Sequence, residues 1–283
     1  MVTAMELLIG KIRNISTLPA IVFEIIKTSN NPASSAKDLN NIVTKDQAIA
    51  AKLLQMANSS YYGLSGKVKD LERAIALLGF NTVRALALSI SILDCFKGPS
   101  QSGYFNRGEF WEHSMGVAIL SKIFAEKRGR RLNIEEAYIG GLLHDLGTII
   151  LDQFFHEKFA KILELVYESN IDFLEAEKMV IGLDHAQFGA KIAVAWDYPG
   201  LLVSMIGNHH NPEYNGDFVD YCHAVYLGNV FECRFKNRGD KRARELDENI
   251  ARKFLTGDEQ VEIIEVQFEA EMERNRAIIK LFH

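Results

Sequence analysis

Helix-start signals recur along this 283-residue chain, and they limit its fold more than any other feature. Each signal is a capping residue followed three positions later by an acid or a glutamine. Such pairs are Ser35 with Asp38, Asn106 with Glu109, and Asp184 with Gln187. Strict apolar–polar alternation, which predicts a β-strand, is confined to residues 264–268, and that segment also fits a helical stripe over residues 261–282. The sequence therefore predicts an all-α fold.

The composition of residues 97–103, which read Lys-Gly-Pro-Ser-Gln-Ser-Gly, is typical of a linker. We expect an N-terminal helical lobe over residues 1–100, a second helical bundle over 104–235 and a C-terminal helical extension over 236–283. In the first lobe, Asp46 is placed to cap a helix over 47–57, and Asp70 and Gly79 bound another helix. The turn-forming residues 58–63 follow the first of these helices. Tyr61 and Tyr62 within them should pack near the junction of the lobes or over the core of the first lobe.

The second lobe contains the segment Gly140-Gly141-Leu142-Leu143-His144-Asp145-Leu146-Gly147. Asn133 is a suitable N-cap for the helix that leads into this segment, and Gly147 is expected to end that helix. Each glycine inside a helix costs about 1 kcal/mol relative to alanine. We therefore expect another backbone to pack closely against Gly140 and Gly141. The adjacent imidazole and carboxylate that follow suit first-row divalent metals.

Composition narrows the functional classes. A chain with 48% hydrophobic and 24% charged residues is typical of a globular protein. The formal net charge of -5 argues against general nucleic-acid binding, whereas the six basic residues between positions 234 and 244 fit either a solvated loop or a site for a phosphate-rich ligand. The three cysteines show no CxxC spacing, which argues against a disulfide framework and a thiolate zinc site. Without a signal peptide or an uncharged stretch of roughly 18 residues, we expect a cytoplasmic protein with no membrane span.

The histidines are the best candidates for chemistry, and seven of the eight lie between positions 113 and 223. Helices of a bundle can bring distant ligands together, and imidazole with carboxylate favours iron, manganese, zinc or nickel over magnesium and calcium. The candidate metal ligands are His113, His144, Asp145, His185, His209 and His210. Expected to lie outside the site are His156, His223 and His283. As alternatives, His113 fits a hydrogen-bonded core histidine, and His209 and His210 fit a helix C-terminus. Glu109, one turn before His113, either joins a second metal or serves the cap of its helix.

Two sets of residues resemble known families. The histidine–aspartate series resembles the HD superfamily of metal-dependent phosphohydrolases, and its order is similar to that of the HD-GYP phosphodiesterases of cyclic dinucleotides. Residues 18–20 (Leu-Pro-Ala), 46–63 (Asp-Gln-Ala-Ile-Ala-Ala-Lys-Leu-Leu-Gln-Met-Ala-Asn-Ser-Ser-Tyr-Tyr-Gly) and 71–79 (Leu-Glu-Arg-Ala-Ile-Ala-Leu-Leu-Gly) closely resemble the HDOD domain of bacterial signalling proteins. The resemblance runs from about Leu18 to Val230. It implies an all-helical regulatory module whose second lobe is an HD-type bundle, with the six candidates as metal ligands and Asp145 as a bridging carboxylate.

Three departures from the HD-type enzymes bear on activity. Asn229 stands where those enzymes have a later metal-binding Asp, Thr148 stands where the phosphodiesterase branch has a Lys, and the Gly-Tyr-Pro signature is absent. Loss of a cation near a phosphoryl group can raise the reaction barrier by on the order of 3 kcal/mol. We therefore expect a signalling module that binds partner proteins or a nucleotide second messenger, with a retained metal site and little catalysis. The alternative is a metal-dependent phosphodiesterase or phosphohydrolase, in which Asp145 is a catalytic residue and bridged metals generate the attacking hydroxide.

Overall fold

The structure is a computed structural model that describes residues 21, 24–25, 28, 33–58, 68–80, 83–84, 87, 90, 103–236, 246–255, 257 and 259–279. Its regular elements within these ranges are all helices, so the all-α prediction is confirmed. Backbone contacts divide the chain into two compact units. One unit is formed by residues 15–97 and 270–283, and the other by residues 1–14 and 98–269. The domain boundaries given above stay a prediction.

The described helices between residues 33 and 80 are α1 (Ala36–Val43), α2 (Gln47–Ala57) and α3 (Leu71–Leu78). Ser35 and Asp38 form the predicted capping box of α1, in which Asp38 Oδ2 accepts a hydrogen bond from Ser35 N at 2.8 Å. The Asn58 amide accepts from Val68 N at 2.7 Å and donates to Val68 O at 2.8 Å, which joins the end of α2 to the residues before α3. Tyr61 and Tyr62 lie outside the described residues.

The larger unit is built around one long, almost fully buried helix. Its helices are α4 (Arg107–Lys127), α5 (Ile134–Leu143), α6 (Leu146–Phe154), α7 (His156–Tyr167), α8 (Phe173–Ile181), α9 (His185–Ala195), α10 (Gly200–Asn208), α11 (Val219–Phe235), α12 (Glu248–Phe254) and α13 (Glu259–Ile279), the last of which supplies residues to both units. Helix α4 packs against α5 and α11, and all but two of residues 110–125 are buried. Residues 264–268 lie within α13, as the helical stripe predicted.

The predicted helix starts in this unit are confirmed. Asn106, Asn133 and Asp184 each accept hydrogen bonds from backbone N–H groups in the first turn of the following helix. Asp184 also completes the predicted capping box with Gln187. These caps fix where α4, α5 and α9 begin. Helix α4 carries His113, α5 leads into His144 and Asp145, and α9 begins at His185.

The helix stop assigned to Gly147 is wrong. Helix α5 ends at Leu143, and Gly147 is the second residue of α6. Packing explains this glycine, because a Cβ at position 147 would overlap the carbonyl oxygen of His185 in α9. The glycine therefore permits two helices to cross closely and does not terminate one.

Two further sequence predictions concern cysteines and membranes. Cys222 and Cys233 are buried thiols, and Cys95 lies outside the described residues. Across the described ranges, no helix combines the length and the apolar character that crossing a bilayer requires.

Candidate metal centre

Five histidines and one aspartate meet inside the larger unit, where α5 gives way to α6. Their places are His113 in α4, His144 and Asp145 between α5 and α6, His185 at the start of α9, and His209 and His210 directly after α10. The structure thus brings together all six residues that the sequence analysis names as candidate ligands. Their role as ligands stays a prediction.

Asp145 lies at the centre of this group, which we call the His–Asp cluster. Its Oδ1 is 3.0 Å from Nε2 of His185, 3.4 Å from Nε2 of His209 and 3.5 Å from Nε2 of His144. Its Oδ2 is 4.0 Å from Nε2 of His113. One carboxylate is therefore surrounded by the Nε2 atoms of four imidazoles.

Imidazole nitrogens in the cluster also face one another. Nε2 of His185 lies 3.2 Å from Nε2 of His209 and 3.0 Å from Nε2 of His210. Lone pairs repel at such distances, so these nitrogens must share a proton or a cation. Of three groups of mutually close donor atoms, each within 4.8 Å, two contain Asp145: Asp145 with His185, His209 and His210, and Asp145 with His113 and His144. We call these two groups the donor sets; the third group joins His113 to Glu232 and Cys233.

The second ring nitrogen of two histidines is bonded to backbone on the outside of the cluster. Nδ1 of His144 lies 2.7 Å from Gly141 O, and Nδ1 of His209 lies 2.8 Å from Ile206 O. A carbonyl oxygen can only accept, so each Nδ1 carries a proton, and in a neutral imidazole Nε2 then offers its lone pair to the cluster. Metal-bound histidines almost always donate their other ring N–H in this way.

Two buried carboxylates hold Nδ1 of two further histidines. Oε2 of Glu232 lies 2.6 Å from Nδ1 of His113, and Oε2 of Glu177 lies 2.8 Å from Nδ1 of His185. Sequence reasoning missed both acids, because Glu232 is 119 residues away from its histidine and Glu177 is eight residues away in another helix. The signal available was an acid among residues that are otherwise apolar and buried, in α11 and on one face of α8.

Burial and mutual contact set the charges in the cluster. Burial alone would raise the pKa of the Asp145 carboxyl, but the His144 and His185 imidazoles outweigh burial and hold that pKa well below its usual range. Burial lowers the pKa of His144 well below its usual value. Burial also opposes protonation of His185, yet Glu177 and Asp145 together raise the pKa of His185 to about 10. An ionised carboxylate beside a neutral imidazole is the state that metal binding requires, and a metal would displace the His185 proton.

The donor atoms are shielded from water. Exposed fractions are 0% for His144, His185 and His209, 2% for His113 and 3% for Asp145. His210 is partly exposed. Nε2 of His144 is buried and has no hydrogen-bond partner among the described atoms. A buried nitrogen left without a partner is destabilising, so the donor set fits a divalent metal better than it fits an empty core.

Glycines allow the helices that carry the donors to approach one another. A Cβ at Gly141 would lie 2.7 Å from Ala118 Cα, so α5 packs directly on the backbone of α4, as predicted. At Gly140 the neighbour is the side chain of Met205, not a backbone. Where α6 crosses α9, a Cβ at Gly189 would lie 2.9 Å from Gly147 N. This last crossing places His185 against Asp145.

The remaining residues singled out from the sequence lie around the cluster or outside it. Asn229 is buried in α11, one turn before Glu232, and Thr148 is fully buried in the first turn of α6. The side chain of Glu109 is exposed, and its Oε1 lies 3.5 Å from Nδ2 of Asn106, which favours the capping role over a second metal. His156 and His223 belong to neither donor set. His283 and most of the basic segment 234–244 lie outside the described residues.

Residues 15–212 match the family model of the HDOD domain, which is well over half of the chain. The chain belongs to the HDOD domain family. The helical fold of the described residues agrees with this membership.

Similar proteins are known from several bacteria. The crystal structure of an HDOD domain protein of unknown function from Geobacter sulfurreducens is 25% identical, with a TM-score of 0.77, and the match covers 98% of this chain and 97% of that one. A crystal structure from Marinobacter aquaeolei VT8, of a protein provisionally assigned to signal transduction, is 25% identical with a TM-score of 0.76 and matches 96% of this chain and 61% of that one. An uncharacterized protein of Treponema pallidum (strain Nichols) is 26% identical over 201 residues, 71% of this chain and 38% of that protein. This HDOD chain thus aligns with less than half of the length of that relative.

Proposed function

We propose that this HDOD protein is a regulatory module of bacterial signal transduction, which holds a divalent metal in the His–Asp cluster and hydrolyses phosphoesters little or not at all. The burial of the donors carries this proposal, since five of the six donor residues are at most 3% exposed. Structural metal sites are closed, whereas catalytic sites keep one position open to water and substrate. The provisional assignment of the Marinobacter protein to signal transduction agrees with it.

The metal would be held by His113, His144, Asp145, His185, His209 and His210. Imidazole-rich donors with one carboxylate favour iron, manganese, zinc or nickel. Because the donors come from α4, the α5–α6 junction, α9 and the end of α10, a bound ion would link separate helices of the bundle. Its binding free energy would then contribute to the stability of the folded unit. Partner proteins or a nucleotide second messenger would bind according to the state of that unit.

Two residues near the cluster disfavour efficient hydrolysis. Asn229 offers an amide oxygen without charge, so it neutralises less of the charge of an ion than a carboxylate does. Thr148, three residues after Asp145, offers a hydroxyl and no cation for the charge that develops on a phosphoryl group. Both side chains are buried in helices of the larger unit.

The second candidate function is metal-dependent hydrolysis of a cyclic dinucleotide or another nucleotide. The observation that favours it is that both donor sets share Asp145, as in sites where a carboxylate bridges two metals. Bridged ions supply a hydroxide nucleophile when bound. In that case Asp145 would be a catalytic residue, and the partly exposed His210 would mark the side open to substrate.

Metal content and turnover, measured on the same preparations, separate the two functions. The proteins are the unmodified chain, Asp145→Ala, and His156→Gln as a histidine control outside both donor sets. We expect bound metal in the unmodified protein and the control, none in Asp145→Ala, and background hydrolysis of cyclic di-GMP by all three. Robust hydrolysis that only Asp145→Ala loses would establish the enzyme instead. Equal metal content in all three proteins would remove the His–Asp cluster as the metal site.

A further inference from the structure

We infer that Glu177 and Glu232 are positioning residues that set the metal affinity of the His–Asp cluster, each through one histidine. This inference rests on the proposed function, because it concerns the metal held there. Glu177 acts on His185. Its Oε2 accepts a hydrogen bond from the backbone N–H of His185 at 2.9 Å and lies 2.8 Å from Nδ1 of the same residue. Glu232 acts on His113, through the contact of 2.6 Å between its Oε2 and Nδ1.

Both acids lie where a carboxylate is unfavourable unless it is paired. Each side chain is 0% exposed, and removing a carboxylate from water is costly unless hydrogen bonds and opposite charge compensate. The hydrogen bonds made by Glu177 both go to His185, and its Oε1 is buried without a partner among the described atoms. A site needing only a neutral acceptor would be served by a backbone carbonyl, as His144 and His209 are.

The larger unit also leaves space for the Glu232 side chain. Gly116 lies on α4, three residues after His113, and a Cβ there would come within 2.7 Å of Glu232 Cγ. Any larger residue at position 116 would press on the side chain that orients His113. The contact between Glu232 and His113 is therefore supported from two helices, α4 and α11.

The two carboxylates contact histidines of different donor sets. Glu177 reaches the donor set that contains His185, and Glu232 reaches the donor set that contains His113. A carboxylate that accepts the Nδ1 proton strengthens Nε2 as a donor, and loss of such a partner typically weakens metal binding by 10–100-fold. Each acid should thus govern metal affinity independently of the other.

The test uses Glu177→Gln and Glu232→Gln, which keep an oxygen that can accept from Nδ1 but remove the charge. Glu109→Gln is the matched control, because Glu109 is exposed and lies one turn before His113. Affinity for Co²⁺ is measured by competition with a chelator, together with the visible spectrum of the bound ion. We expect each of the two variants to bind Co²⁺ at least about tenfold more weakly, with a shifted spectrum, and the control to match the unmodified protein.

Thermal unfolding in excess chelator measures the structural cost of each substitution, and the shifted spectrum separates positioning from a merely structural role, because a less stable fold with unchanged donors leaves the spectrum of the bound ion unchanged. Unchanged Co²⁺ affinity in both Gln variants, with metal lost from Asp145→Ala, would overturn this inference and leave the proposed function standing. An effect in one variant alone would overturn the role of the other acid. If a Gln variant does not fold, Glu177→Asp or Glu232→Asp replaces it, because aspartate keeps the charge but has a shorter reach. A Co²⁺ affinity equal to that of the unmodified protein would then overturn the positioning role of that acid. Absence of Co²⁺ binding by the unmodified protein would overturn both proposals.

Discussion

At the scale of single residues, the balance of charge around Asp145 decides how firmly an ion would be held. The cluster offers five imidazoles, which are neutral when they bind metal, and one carboxylate among its direct donors. A divalent ion in this set keeps a net positive charge inside a buried site. Carboxylates that lie close by, whether they touch the ion or a histidine, should therefore have large effects on affinity.

Asn229→Asp tests this balance directly. The change replaces a buried amide in α11, one turn before Glu232, by a carboxylate of nearly the same shape. We expect metal to bind about tenfold more tightly, which corresponds to about 1.4 kcal/mol. Isothermal titration with Mn²⁺ measures the change, and Asn249→Asp, an exposed position on α12, controls for the added charge. Equal or weaker binding by Asn229→Asp would show that a carboxylate at position 229 does not reach the ion.

At the scale of helices, the crossing of α6 and α9 brings His185 to Asp145. Gly147→Ala should disturb this crossing, because the new Cβ would overlap the carbonyl oxygen of His185. Overpacking of this kind typically costs about 1–3 kcal/mol of unfolding free energy, and it should weaken metal binding as well. Urea unfolding in excess chelator measures the first effect, and Co²⁺ titration measures the second. Gly200→Ala is the control, since a Cβ there meets nothing within 4 Å and alanine favours a helix. Unaltered stability of Gly147→Ala would mean that α9 can shift away at little cost.

The same crossing shows what the sequence could and could not predict. The starts of α1, α4, α5 and α9 were predictable, because a cap and its partner lie within three residues of each other. Gly147 was assigned to a helix end because local rules treat an isolated glycine as a stop signal, whereas its cause is contact with a helix that begins at residue 185. The contacts of Glu177 and Glu232 with histidines could not be predicted for a related reason. Their histidines lie in other helices, and no short spacing marks either pair.

At the scale of the whole molecule, the candidate ligands all belong to one of the two compact units. They lie within residues 113–210, inside the unit of residues 1–14 and 98–269, and none lies in the unit of residues 15–97 and 270–283. Metal binding should therefore directly stabilise the unit of residues 1–14 and 98–269. The proposed regulatory role requires that this stabilisation be large enough to change the population of the folded unit.

Chelation should lower the unfolding temperature of the ligand-bearing unit. At a free metal concentration of 100 times Kd, binding adds about 2.7 kcal/mol to the unfolding free energy. For a domain of 150–250 residues, 1 kcal/mol shifts Tm by about 2–4 °C, so removal of metal should lower Tm by about 5–10 °C. Calorimetry with EDTA and after return of Mn²⁺ measures this shift, and Asp145→Ala, which should bind no metal, should unfold at one and the same temperature under both conditions. A transition that is unchanged by EDTA in the metal-loaded protein would contradict a stabilising ion at the His–Asp cluster. If two transitions are resolved, only one should respond, because the unit formed by residues 15–97 and 270–283 contains no candidate ligand.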